Sequence, residues 1–245
     1  MFIFLYIFLL MKSYLFLCLV LAGLQLATAQ PNYSQLREQM VSEQLEGRDI
    51  FSAAVLDAMR KVPRHVFVPD EYKSWSYSDQ PLPIGEGQTI SQPYIVAYMT
   101  QELQIKPGDR ILEIGTGSGY QAAVLAELAL EVYTIEIVES LGKAAAQRLK
   151  RLGYENAKVR VGDGYNGWPD AAPFDAIMVT AGAEELPEPL IEQLAEGGRM
   201  IIPIGPHGGV RQLTLIRRKK GKYKSEKLMP VRFVPFVRKD SDNPE

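Results

Sequence analysis

Three acidic side chains at the ends of successive apolar runs carry the first chemistry visible in this sequence. Ile111-Leu112-Glu113-Ile114 leads into Gly115-Thr116-Gly117-Ser118-Gly119. Val132-Tyr133-Thr134-Ile135 ends in Glu136, and Lys158-Val159-Arg160-Val161-Gly162 ends in Asp163-Gly164. Glycines let a backbone turn tightly and approach a ligand where any Cβ would collide. A helix opening at Tyr120 would aim its free N–H groups at the same spot. Glu113, two residues before the first glycine, suits a ligand bearing positive charge. Glu136 suits the two hydroxyls of a ribose, and Asp163-Gly164 the edge of an adenine. Each acid could singly be an ordinary strand-end residue; three together, at the carboxyl edge of one parallel sheet, point to a ligand. Ribose chemistry serves NAD and S-adenosylmethionine equally. Tyr120, standing where a dinucleotide fingerprint wants its third small residue, weakens the NAD reading.

Positioning these groups requires alternating strands and helices. Leu36, Met40, Val41 and Leu45 recur at helical spacing over residues 33–46, and residues 51–62 form a second amphipathic helix. A third covers 94–103, with Pro93 in its first turn and Ser91 or Gln92 as cap. Further strands are expected at 174–180 and 199–204, with a helix over 187–195 closed by Gly197-Gly198. Residues 211–217 and 227–237 form a closing antiparallel pair across Lys219–Lys222. The fold class is α/β: an open, mostly parallel sheet with helices on both faces. Phe233, Phe236 and Tyr223 are expected in the core, His65 as a packed histidine, and Asp175 in a strand-start turn. Residues 77–93 combine repeated prolines and glycines with Leu82, Ile84 and Ile90, which predicts an ordered loop of functional length.

The chain has 245 residues, of which 47% are hydrophobic and 23% charged, enough for one sizeable core. Lys12, the apolar run 14–26 and Ala27-Thr28-Ala29 have the layout of a secretory signal, with Met11 as a possible start. The expected organisation is a signal peptide over 1–29 and a single domain over 30–245; an uncleaved membrane anchor is the alternative. The one cysteine, Cys18, lies inside that leader, so the remainder has no disulfide or thiol chemistry. A net charge of −2 leaves no electrostatic footprint for nucleic acid. Two histidines, His65 and His207, argue against a histidine-rich metal site.

Several motifs together resemble one family: Val62-Pro63-Arg64-His65-Val66-Phe67-Val68-Pro69, Pro81-Leu82-Pro83-Ile84-Gly85, Gln88-Thr89-Ile90-Ser91-Gln92-Pro93-Tyr94, the 111–120 turn, Gly162-Asp163-Gly164, Phe174-Asp175-Ala176-Ile177, Glu196-Gly197-Gly198 and Arg232-Phe233-Val234-Pro235. The resemblance is to protein-L-isoaspartate O-methyltransferases and runs from about Leu36 to Val237. It implies a Rossmann-like class I methyltransferase fold and S-adenosylmethionine as cofactor. The implied acceptor is the free α-carboxylate of L-isoaspartyl residues in damaged proteins and peptides, the first step of their repair.

The resemblance further implies that Ser91 is the active-site residue, with a helix cap as its plainer role. Glu113, Gly115 and Gly117 would bind the amino-acid part of the cofactor, Glu136 the ribose, and Asp163 and Gly164 the adenine. Gln88, Thr89 and Gln92 are candidate substrate contacts. No metal, no nucleic acid and no stable membrane association once the leader is removed are expected, and the protein is expected to act as a monomer. Such enzymes are largely cytosolic, so a leader would put this one in the periplasm, with the cytoplasm as the alternative. The competing readings are a methyltransferase for a small carboxylic acid, a cofactor-binding module without turnover, and an NAD oxidoreductase.

Overall fold

A computed structural model describes residues 31–239. The chain divides into Met1–Asn32, nearly all of it outside the described residues, and a unit that begins at Tyr33. The signal-peptide expectation over 1–29 therefore lies outside the described residues.

Seven strands form the central sheet: β3 (Arg110–Ile114), β4 (Glu131–Glu136), β5 (Ala157–Val161), β6 (Phe174–Val179), β7 (Leu194–Ile204), β8 (Arg211–Lys219) and β9 (Lys222–Val231). Their order is β5-β4-β3-β6-β7-β8-β9. The first five are mutually parallel and the last two antiparallel. Strand β3 lies at the point where the order reverses, with β4 and β6 as its neighbours. Open α/β sheets bind ligands at such a switch, and the glycine turn leaves β3 there. Ile111, Leu112 and Ile114 are buried on both faces of the sheet, as expected of a central parallel strand.

One core joins the sheet to α2 (Ala53–Lys61), α3 (Pro93–Leu103) and α4 (Tyr120–Ala126). A second core forms on the other face around Leu112, Ile114, Phe174 and Ile177, reaching Leu190 of the short α6 (Glu188–Glu192). Helix α5 (Glu139–Arg151) buries Gly142, Ala145 and Leu149 and turns a charged face outward. Helix α3 is buried on almost every side, and Gln104 ends it with a left-handed φ of 49°. Full burial of a Leu, Ile or Met side chain contributes roughly 1.5–3 kcal/mol, so α3 is anchored far more firmly than its length suggests.

Five sequence expectations need correction. The helix over 33–46 is α1 (Tyr33–Gln39) continued as a π-helical segment, Met40–Glu46. Gly197 and Gly198 do not close a helix; they lie within β7, where Gly197 at φ +83° allows a bulge against β6. Residues 77–93 contain a two-stranded hairpin, β1 (Leu82–Gly85) with β2 (Gln88–Ile90). Its turn residues Glu86 and Gly87 both have positive φ, as a tight twisted hairpin requires. The last strand begins at Lys222 and ends at Val231; residues 232–238 leave the sheet as an extended strap. Strand β9 is the mostly exposed edge, so apolar alternation did not mark it, and Tyr223 is 57% exposed rather than core. Phe233 and Phe236 do pack against the two cores.

Candidate active site

The glycine turn is tied to the sheet by Gly115 and Thr116, whose N–H groups donate to the Ile135 carbonyl at 2.8 and 3.2 Å. Gly115 has φ +96°, and a Cβ there would run into the Thr180 hydroxyl. That hydroxyl donates towards the Ile114 and Gly115 carbonyls at 2.9 and 2.7 Å. At Gly117, φ +51°, a Cβ would press on Ile84 of the hairpin. The turn is thus held open on one side and roofed by β1–β2 on the other.

Two clefts flank it, and both are lined by Thr89, Gly115, Gly117 and Thr180. Glu136 and Gly164 line the larger one. Glu136 is 5% exposed; its carboxylate accepts the Gly117 N–H at 2.7 Å and the Val138 N–H at 2.9 Å. It therefore fixes the turn while presenting an anionic edge to the cleft. Residues 234–237 of the C-terminal strap cover the same cleft. Gly182 holds the strap through two hydrogen bonds: its N–H donates to the Val234 carbonyl at 2.8 Å, and its carbonyl accepts the Phe236 N–H at 3.0 Å.

Glu113 stands behind the turn rather than on either cleft wall. It is fully buried and accepts the Thr134 hydroxyl on Oε2, while Oε1 has no hydrogen-bond partner. Thr134 in turn meets the Thr116 hydroxyl at 2.6 Å, and Thr116 lines the smaller cleft. Burial, reinforced by the neighbouring Glu136 charge, pushes the Glu113 carboxyl up to about 8 against the Thr134 hydrogen bond. A buried acid with an unused acceptor, linked to a ligand cleft by two hydroxyls, is what a cationic ligand group needs and folding alone does not.

Ser91 lines the smaller cleft beside Ile90, Ile95 and Met99. Its carbonyl accepts Arg64 Nη2 at 2.7 Å, and Arg64 Nε also donates to the Ser76 carbonyl at 2.8 Å. Arg64 is fully buried beneath the site with its guanidinium over the Tyr120 ring. Ser91 does not cap α3: Gln92 is the cap residue, without a side-chain cap bond, and the Tyr94 N–H donates to Asp79 Oδ1 at 2.9 Å.

The structure brings Gly115, Gly117, Glu136, Gly164, Gln88, Thr89 and Ser91 onto the cleft walls. Gln92 is instead turned to Asp79, 3.3 Å away. Asp163 accepts the Tyr165 N–H at 2.9 Å and lies 3.6 Å from Arg238 Nε, bracing the strap beside Gly164. His65 is stacked on Tyr33 with ring centroids 4.0 Å apart and shares a 2.8 Å hydrogen bond with the Tyr77 hydroxyl. Asp175 accepts the Arg110 N–H at the start of β3. Sequence reasoning missed Thr116, Thr134, Thr180, the strap, Arg64 and Asp79. Thr180 closes a strand at the same sheet edge and was findable; Arg64 and Asp79 had no local signal.

S-adenosylmethionine, with a cationic amino-acid end and an adenosine, fits these residues. The buried Glu113 carboxyl, joined to the cleft through Thr134 and Thr116, supplies the acid that the cationic end calls for. The Gly115–Gly117 cradle admits close backbone approach, and Gly164 leaves no Cβ to collide with Ile114. Fold and cleft together define a class I methyltransferase. The family of protein-L-isoaspartate(D-aspartate) O-methyltransferases matches over residues 35–241. A protein-L-isoaspartate O-methyltransferase of Opitutus terrae is 60% identical over 220 residues, 90% of this chain and 94% of that one. One of Gloeobacter violaceus is 57% identical over 199 residues, 81% of this chain and 97% of that one. A solved Plasmodium falciparum structure, described as a putative protein-L-isoaspartate O-methyltransferase in complex with S-adenosyl-L-homocysteine, superimposes with a TM-score of 0.73 at 30% identity, covering 82% of this chain and 98% of that one. The chain belongs to the protein-L-isoaspartate O-methyltransferase family.

Proposed function

We propose that this protein transfers a methyl group from S-adenosylmethionine to the free α-carboxylate of L-isoaspartyl residues in damaged proteins and peptides, with Ser91 orienting the carboxylate. The observation that carries the reading is that the Ser91 cleft and the Glu136 cleft meet at Thr89, Gly115, Gly117 and Thr180. Acceptor and cofactor can therefore share one opening. The bound cofactor supplies an electrophilic methyl on a sulfonium.

A carboxylate with a pKa near ~4 is already ionised at pH 7, so no general base is needed. That agrees with a site whose nearby histidine, His65, is occupied in packing. The Ser91 hydroxyl donates to one carboxylate oxygen and leaves the other to attack. Holding the reacting groups in line can supply ~7–11 kcal/mol of the barrier. Ile84, Ile90, Ile95 and Met99 form an apolar surround that excludes water while opposite charges neutralise. Gly115, Gly117, Glu136 and Gly164 hold the cofactor, Glu113 acts on its amino end through Thr134 and Thr116, and Asp163 steadies the adenine side. Gln88 and Thr89, the latter exposed at the lip, meet the peptide around the isoaspartyl residue, and Gln92 supports them from Asp79.

The test is competition between an isoaspartyl peptide and small acids such as acetate and succinate for labelled methyl groups. Label confined to the peptide is expected; efficient labelling of the small acids would favour a small-molecule methyltransferase instead. We further propose export to the periplasm through the leader read over residues 1–29, and, separately, a monomeric state. Cell fractionation and sedimentation test this, and a full-length cytoplasmic protein or a stable dimer would contradict it.

A further inference from the structure

We propose that Asp79 is a positioning residue for methyl transfer: by capping α3 from a separate segment, it keeps the Ser91 hydroxyl free for the substrate carboxylate. The inference rests on the Ser91 role proposed above and deepens it.

A serine just ahead of a helix normally turns its hydroxyl back onto the N–H two or three residues on. For Ser91 the group three residues on is the Tyr94 N–H, and that N–H is taken by Asp79 Oδ1 at 2.9 Å. Among the described residues the Ser91 hydroxyl makes no hydrogen bond, and Ser91 is one of the residues that line the cleft. Asp79 is itself fixed: Oδ2 accepts Arg48 Nη1 at 2.8 Å and Gln92 Nε2 at 3.3 Å, and its side chain is 22% exposed. The Arg48 guanidinium also lies 3.4 Å over the Tyr94 ring, which ties the acid and the helix start into one unit. From the other side, Arg64 holds the Ser91 carbonyl at 2.7 Å. The backbone of Ser91 is therefore clamped while its hydroxyl is left without a task in the fold. Removing the Asp79 carboxylate frees the Tyr94 N–H three residues beyond Ser91, a spacing at which a serine hydroxyl can accept it. Cap and catalyst then compete for one hydroxyl.

The experiment is a cycle of Asp79→Ala, Ser91→Ala and the double variant, with Asp79→Asn as the conservative change. Each is measured for turnover of an isoaspartyl peptide, affinity for S-adenosylhomocysteine, and Tm. Asp79→Ala should lower turnover by about the same factor as Ser91→Ala, on the order of 10- to 100-fold. The double variant should be no slower than either. Asparagine caps as well as aspartate, so Asp79→Asn should retain most of the turnover. Affinity for S-adenosylhomocysteine should stay the same throughout.

The thermal cycle gives a readout that a purely structural aspartate would not move. Ser91→Ala should leave Tm almost unchanged beside Asp79, but lower it by about 2–4 °C in the Asp79→Ala background, where Ser91 has become the cap. Multiplicative losses in turnover, or equal Tm effects of Ser91→Ala in both backgrounds, would overturn the Asp79 role and leave Ser91 standing. Undiminished turnover in Ser91→Ala would overturn both.

Discussion

Replacing Glu113 by glutamine should make the cofactor-free protein more stable at alkaline pH. The Glu113 carboxyl, fully buried, is pushed from an ordinary value of 4.5 up to about 8 by burial. Between those values the unfolded chain has lost the proton and the folded chain keeps it. The stability associated with this group is therefore fully present below about pH 4.5, declines as pH rises, and is lost by about pH 8. At ~1.4 kcal/mol per pH unit, wild type should lose roughly 3–4 kcal/mol between pH 5 and pH 8 through this one residue. Glutamine is neutral throughout and fills nearly the same volume, so it escapes that loss. Any constant offset from placing its NH2 in the pocket cancels when slopes are compared. Urea unfolding of both proteins at pH 5, 6, 7 and 8, without cofactor, gives the difference directly. The variant's advantage should grow with pH, while its affinity for S-adenosylhomocysteine falls about tenfold or more for want of a charged partner. A stability difference that stays constant with pH, or shrinks, would refute the buried-acid reasoning. A gain in stability paired with a loss of binding is the signature of a residue retained for function.

Two further outcomes are expected. Gly115→Ala should lower Tm by several degrees and abolish measurable S-adenosylhomocysteine binding, because the residue sits at φ +96° and its new methyl meets the Thr180 hydroxyl; strain of this kind costs ~1–3 kcal/mol. An unchanged Tm with intact binding would contradict the cradle geometry. Burial, with the charges of Arg37 and Lys73 adding, lowers the His65 pKa from 6.5. Its stabilisation is present above about 6.5 and is lost as pH falls through the lowered folded value. His65→Phe, which keeps the stack on Tyr33, should flatten the acid side of the Tm–pH curve; an unchanged slope between pH 7 and 5 would exclude His65 as its source.

How much of this was legible in the sequence depended on whether a signal was local. Strand-end acids and glycines mark the switch point by their spacing alone, and Glu136, Gly115, Gly117 and Gly164 do line the clefts. Glu113 is marked by its spacing from the glycines, but which way it faces is set by the packing of β3 between its neighbours. It ended behind the turn, reaching the cleft through Thr134 and Thr116. Arg64 and Asp79 act on Ser91 and Tyr94 across 27 and 15 residues of chain, and no periodicity announces such pairings. The strap over 232–238 carries no regular element at all, so its place above the cofactor cleft emerges only from Gly182 and the tertiary fold. The hairpin at 82–90 was hidden by its prolines, although Glu86-Gly87 between two short apolar runs is a turn that could have been read.

The most direct measurement uses two synthetic peptides, identical except for isoaspartate or aspartate at one position, each incubated with the protein and methyl-labelled S-adenosylmethionine. Base-labile label should accumulate on the isoaspartyl peptide alone, fall with Ser91→Ala and vanish with Glu113→Ala. Binding of the cofactor without label on either peptide would contradict isoaspartyl methylation and leave a binding module or another acceptor in its place.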